Sequence, residues 1–186
     1  KIKKALKPNT VLVSVMYANN EIGTIQPIGE IAKEIRHHNK INSKKIFFHT
    51  DATQAINYLP VNVPKLGVDL MSFNGAKIYG PKGVGVLYVK RNTPISKIMW
   101  GGDQERGLRP GTENVASALA LAHALEKTEK IKEKENKRLK ILNNYFISKL
   151  PKKFIINGSL EKRLPNNVNI TIPNIPSDLL VIELSA

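Results

Sequence analysis

Ser72-Phe73-Asn74-Gly75-Ala76-Lys77-Ile78-Tyr79-Gly80-Pro81-Lys82-Gly83 sets one lysine between a short apolar run and a glycine-proline turn. Asp69 to Phe73 reads as a buried strand. Val84 to Lys90, rich in β-branched and aromatic residues behind Gly83, reads as the next. A lysine held between two such strands can act as a covalent catalyst through its ε-amine. Upstream, the apolar run Ile46-Phe47-Phe48 leads into His49-Thr50-Asp51-Ala52-Thr53-Gln54, which places a carboxylate and an amide just past another strand.

Outward from these two blocks the chain alternates between strand and helix patterns. Val11 to Tyr17 reads as a buried strand and Lys45 to His49 as another. Between them Ile28, Ile31, Ala32 and Ile35 recur at helical spacing behind Pro27, over Ile28 to His38. The alternation predicts an α/β architecture, with a mainly parallel central sheet and flanking helices. From Asn114 the pattern turns helical for a long stretch. Val115, Leu119, Ala122, Leu125, Ile131, Leu139, Leu142 and Phe146 are spaced as an apolar stripe, and Pro151 ends it. Phe154 to Asn157 and Asn167 to Ile172 read as short strands. Ser177 to Leu184 reads as a helix capped by Ser177, with Asp178 in its first turn.

With 186 residues, 41% of them hydrophobic, the chain can bury one sizeable core and lies at the upper end of ordinary domain size. No run approaches the roughly 20 apolar residues of a membrane helix, and no signal-peptide pattern opens the sequence. A soluble, cytoplasmic protein is the default expectation. The absence of cysteine excludes disulfides, thiolate metal sites and a thiol nucleophile within these residues. The formal charge of +14 raises nucleic-acid binding, but the basic residues cluster poorly. Lys127 to Lys153 interleaves them with Glu129, Glu133 and Glu135, as a solvated helix face does.

Three further blocks bear on function: Tyr17-Ala18-Asn19-Asn20-Glu21-Ile22-Gly23, the stretch Gly101-Gly102-Asp103-Gln104-Glu105-Arg106-Gly107-Leu108-Arg109-Pro110-Gly111-Thr112-Glu113-Asn114, and Leu164-Pro165-Asn166-Asn167-Val168-Asn169-Ile170. Together with the Lys77 and Asp51 blocks they resemble, in order and rough spacing, the cysteine desulfurases of aminotransferase class V, among the fold-type-I pyridoxal-phosphate enzymes. The resemblance covers nearly the whole chain. It implies the large cofactor-binding domain over residues 1–126, a connecting helix over 127–150 and the start of a small α+β C-terminal domain over 151–186. Residue 1 is Lys and the last residues are Ser185-Ala186, so the chain is expected to be an internal segment of a longer protein.

The resemblance also assigns residues. Lys77 matches the lysine that forms a Schiff base with pyridoxal 5'-phosphate, although with 29 Lys and Arg any single lysine is by default a surface group. Asp51 matches the carboxylate that pairs with the pyridine nitrogen; a helix N-cap is its bland reading. Gln54 matches the donor to the ring's phenolic oxygen. Asn20 matches a contact to that oxygen or to the substrate carboxylate, whereas Asn19 reads as a turn residue. At the phosphate the sequence departs from the best-known members, which carry serine and histidine where Asn74 and Ala76 stand. Asn74 can still donate one amide hydrogen bond, and backbone N–H groups are expected to do more of the work. Thr112 matches a threonine that reaches the partner subunit's cofactor, which implies a homodimer. His49 reads as structural, since the family's stacking histidine lies in an earlier segment.

What the resemblance implies is a desulfurase that converts L-cysteine to L-alanine and supplies sulfur to an acceptor or iron-sulfur scaffold protein. The alternatives left open are a selenocysteine lyase or class V aminotransferase and, from a different class, a non-catalytic basic scaffold or nucleic-acid-binding segment.

Overall fold

Alternate residues of the central strands face opposite ways, and that alternation organises the molecule. The computed structural model describes residues 1–186. After a single turn of helix α1 (Ile2–Ala5) come β1 (Leu12–Met16), α2 (Ile28–Ile41), β2 (Phe47–Asp51), α3 (Val63–Leu66), β3 (Leu70–Asn74) and β4 (Gly85–Val89). The sheet order is β1-β2-β3-β4. The first three strands run parallel and β4 returns antiparallel against β3, so the expected mainly parallel sheet is present.

One face of this sheet carries the core. Phe48, Met71 and Phe73 lie buried against Ile28, Ile31 and Ile35 of α2, Leu66 of α3 and Leu121 of the long helix α4 (Val115–Lys149), with Val13, Val15 and Val86 packed around them. Each such side chain, fully buried, contributes about 1.5–3 kcal/mol. Thr50 is the polar member of this face; it is fully buried and donates its hydroxyl to Val15 O at 2.8 Å. On the opposite face Leu12 and Leu87 are 51% and 52% exposed, so the helices of this chain cover only one side.

Several boundaries differ from expectation. β2 begins and ends two residues later than Lys45 to His49. The reason is Asn39, whose amide accepts from Ile46 N at 2.9 Å and donates to Ile46 O at 2.8 Å, holding the entry to the strand. Asp51 consequently closes the strand instead of following it. In α4 the core-facing residues are Leu121, Ala124, Leu125 and Thr128. Of the predicted stripe, Val115, Leu119, Ile131 and Leu142 are half or more exposed. α4 is apolar on more than one side, and its packing over the Gly75 turn, where Leu121 lies close, selects the buried side. The terminal helix α5 (Ser177–Ser185) has Pro176 at its N-cap and no side-chain cap, so Ser177 is its first residue and not the cap.

The C-terminal part is tied back to the first strand. β5 (Ile155–Ile156) and β6 (Ile170–Thr171) form a small antiparallel ladder. The segment between them bonds the turn that follows β1: Ile25 N donates to Lys162 O, Leu164 N to Gly23 O, and Asn167 Nδ2 to Glu21 O, all within 2.8 to 2.9 Å. Gly23 has φ +68°, and a Cβ there would lie 2.7 Å from the Asn167 side chain, so conformation and space both call for glycine.

Candidate active site

The carboxyl ends of β1, β2 and β3 lie along one edge of the sheet, because parallel register pairs Met16 with Asp51 and Asp51 with Ser72. This is the edge at which open α/β sheets bind ligands. Five of the six sequence-predicted residues come from the segments that leave it. Asn20 is in the turn after β1, Asp51 ends β2, Gln54 is in the turn after β2, Asn74 ends β3, and Lys77 is in the short 3₁₀ helix Gly75–Ile78 that follows directly.

Each of these side chains has a local reason for its place. Asn19 accepts from Glu21 N and Ile22 N at 2.9 Å, which shapes the turn and leaves exposed Asn20 with no hydrogen bond of its own. Asp51 Oδ1 accepts from Thr53 N at 2.8 Å in an Asx turn, and no helix follows, so Asp51 caps nothing. Asn74 accepts from Lys77 N through Oδ1 at 3.1 Å. That bond fixes the 3₁₀ turn and commits the oxygen, leaving the NH₂ free to donate.

Lys77 is exposed and forms no ion pair. Its backbone is held at both ends: N–H by Asn74, and carbonyl by Asn57 Nδ2 at 2.5 Å. Asn57 carries no motif signal in the sequence; it lies in a turn-rich stretch without apolar periodicity, and only the fold brings it to the lysine. Gly75 makes the turn possible. A Cβ there would meet Pro81 O at 2.8 Å and Val84 Cγ1 at 3.1 Å. Tyr79, just beyond, takes a left-handed backbone (φ 59°) and is 90% exposed.

Thr112 stands apart. It is exposed in the loop before α4 and makes no hydrogen bond to the other five. Its neighbours are locally ordered, with Gly111 N donating to Gln104 Oε1 at 3.1 Å and Asn114 Oδ1 capping α4 through Ser117 N at 3.1 Å. His49, two residues before Asp51, has both ring nitrogens engaged: Nδ1 with Ser14 Oγ at 2.7 Å and Nε2 with Ser72 Oγ at 3.0 Å. Partial burial holds its pKa below the ordinary histidine value, while the negative charge of Asp51 pulls it the other way. No group of three His, Asp or Glu side chains is placed to hold a metal ion.

What this arrangement offers chemically is a free primary amine and a carboxylate on the ends of adjacent strands, with amide groups around them. Its sheet order and edge define an α/β domain of the fold-type-I transferase class. The chain belongs to the aminotransferase class-V family, whose model matches residues 1–186. It is 43% identical over 186 residues to the cysteine desulfurase IscS of Dictyoglomus turgidum, covering 98% of this chain and 46% of that protein. A cysteine desulfurase IscS of Methanosarcina thermophila is likewise 43% identical, over 191 residues, with 100% and 45% covered. Among solved structures, a NifS-like protein superposes with a TM-score of 0.91 at 38% identity, covering 99% of this chain and 50% of that one. DndA from Streptomyces lividans superposes at 0.83 with 32% identity, covering 99% and 52%. The chain thus spans about half the length of the curated relatives it matches. No helix is long and apolar enough to cross a membrane.

Proposed function

We propose that the full-length protein is a pyridoxal-phosphate-dependent cysteine desulfurase. It takes sulfur from L-cysteine, leaves L-alanine, and passes the sulfur as a protein-bound persulfide to an acceptor or iron-sulfur scaffold protein. One observation carries this reading: an unpaired, exposed amine, Lys77, and a carboxylate, Asp51, stand at the carboxyl ends of adjacent strands in a chain 43% identical to proteins named cysteine desulfurase.

The donor set fits pyridoxal 5'-phosphate, with an amine for its aldehyde, a carboxylate for its ring nitrogen and amides for its oxygens. When bound, that group supplies an electron sink for the substrate's α-carbon. Lys77 holds it through Nζ and carries a proton to and from that carbon. Asp51 keeps a proton on the ring nitrogen, using the oxygen that Thr53 leaves free. Gln54 and Asn20, whose side chains have no partner within the chain, orient the ring oxygen and the substrate carboxylate. Asn74 has only its NH₂ to offer the phosphate, and Ala76 beside it offers no polar side chain, so backbone N–H groups carry more of that contact.

Thr112, on its separate loop, serves the neighbouring subunit's phosphate in a homodimer. The same proposal keeps residues 1–126 as the cofactor domain, 127–150 as the connecting helix and 151–186 as the start of a small domain, with the whole working in the cytoplasm. The attacking thiolate comes from outside these residues, which contain no cysteine.

The test is alanine formation from L-cysteine by the purified full-length protein with added pyridoxal phosphate, together with borohydride reduction and peptide mapping. The expected results are a reduced adduct on Lys77 and its loss, along with alanine, in Lys77→Ala. An adduct on another lysine, or alanine formation indifferent to Lys77→Ala, would overturn the assignment. Turnover of L-selenocysteine but not L-cysteine would point to a lyase instead.

A further inference from the structure

The face of the sheet that the helices leave open carries a polar row crossing three strands. Ser14 on β1, His49 on β2 and Ser72 on β3 are linked side chain to side chain at 2.7 and 3.0 Å. The register places this row beside Asp51. Ser14 pairs with His49, and one side-chain repeat further along, Met16, Asp51 and Ser72 are level with one another. His49 and Asp51 therefore share a face, about 6.6 Å apart along the strand, and Ser72 stands next to Asp51 while its hydroxyl reaches back to the imidazole.

Nothing else that titrates faces them from the sheet. The remaining residues on that side of the four strands are Leu12 and Met16, Phe47, Leu70 and Asn74, and Gly85, Leu87 and Val89. An imidazole with both nitrogens committed cannot turn its ring without breaking a hydrogen bond. In the tautomer that donates from Nε2 to Ser72, the Ser72 hydroxyl proton is left free toward the Asp51 row. His49 and Asp51 lie two residues apart on one face of β2, where partial burial lowers the pKa of the ring and the Asp51 charge opposes that shift.

We infer that His49 is a positioning residue for Asp51: fixed between Ser14 and Ser72, it sets the hydrogen-bonding and electrostatic surroundings in which the Asp51 carboxylate meets a cofactor ring. This rests on the cofactor reading given above. It assigns His49 no contact with substrate or cofactor. The role is to hold the neighbouring strand's hydroxyl and to supply a fixed dipole beside the carboxylate, as second partners do for ionised ligand groups elsewhere.

The experiment has two arms, both on the full-length protein. In the cofactor-free protein, the titration of the His49 ring is followed by NMR in wild type and in Asp51→Asn. Loss of the carboxylate charge is expected to lower the midpoint, because that charge favours the protonated ring, and an unchanged midpoint overturns the coupling. In the second arm, pyridoxal phosphate is titrated into wild type, His49→Leu, His49→Gln and Ser72→Ala. His49→Leu is expected to bind about tenfold more weakly and to shift the pH midpoint of the bound cofactor's absorbance, while still forming the adduct on Lys77. Ser72→Ala, which removes one hydroxyl without touching the ring, is expected to reproduce part of that shift, and His49→Gln, which keeps an amide for the serines, to reverse part of it. Wild-type affinity and absorbance in both His49→Leu and Ser72→Ala would overturn the role of His49 alone. Failure of the wild type to form any adduct on Lys77 would overturn the cofactor reading, and this role with it.

Discussion

The two faces of the four-stranded sheet are built from the same strands by alternate residues, yet they differ in kind. Beneath α2, α3 and α4 the strands contribute Phe48, Met71 and Phe73, with one polar residue, Thr50, whose hydroxyl is satisfied by a backbone carbonyl. On the other face the same strands contribute Ser14, His49, Asp51, Ser72 and Asn74, and apolar residues such as Leu87 remain half exposed. A face whose residues all agree on burial specifies the fold. A face that interrupts the apolar pattern with hydroxyls, an imidazole and a carboxylate gives up packing energy, and its carboxyl edge is where the proposed site lies.

The sharpest way to break this comparison is to truncate one side chain on each face. Phe48→Ala, at 1% exposure, is expected to cost about 3–5 kcal/mol, measured as a lower urea midpoint. Leu87→Ala, at 52% exposure, is expected to cost less than about 1 kcal/mol. Equal losses would erase the distinction between the faces. At the edge where they meet, Gly75→Ala would push a Cβ to 2.8 Å from Pro81 O. The expected loss is about 1–3 kcal/mol, with slower adduct formation on Lys77 because its turn must shift; an unaltered rate would free the lysine from that turn.

A smaller effect is expected at Thr50→Val, which keeps the shape but removes the donor to Val15 O; about 1 kcal/mol should be lost in the same unfolding assay. Smallest is the pH dependence from the polar face. The folded-state pKa of His49 lies below its ordinary 6.5, so between the two values the unfolded chain binds more protons than the folded one. Its contribution is fully present above about pH 6.5 and is lost as pH falls through the lowered value. Urea midpoints measured down that range should decline less in His49→Gln than in wild type.

The buried face was legible in the sequence because its signal is local: β-branched and aromatic residues at strand spacing, and Ile28, Ile31, Ala32 and Ile35 at helical spacing. The site was partly legible for a different reason. Lys77, Asp51 and Asn74 stand in motifs whose resemblance marked them as candidates, and those motifs lie at or just past the ends of strands. Asn57 was not legible, since its contact with Lys77 O spans two turns and depends on no periodicity. Nor was the buried side of α4, where apolar residues occur on several sides and tertiary packing over Gly75 chose among them. The ring contacts of His49 required the register of three strands, which composition does not contain.

The ties between the turn after β1 and the segment between β5 and β6 bear on how the chain reaches this state. Asn167 and Glu21 are bonded across 146 residues, so at roughly 5–20 residues per second on the ribosome the turn carrying Asn20 waits about seven to thirty seconds for its partners. Closing so long a loop raises the contact order and slows folding. The core side of the sheet, completed by Leu121, Ala124 and Leu125 of α4, can form within that interval. The turn bearing Asn20 would then be the last part of the sheet's carboxyl edge to become rigid, so translation that stops before residue 157 would leave a folded sheet with an unfinished site.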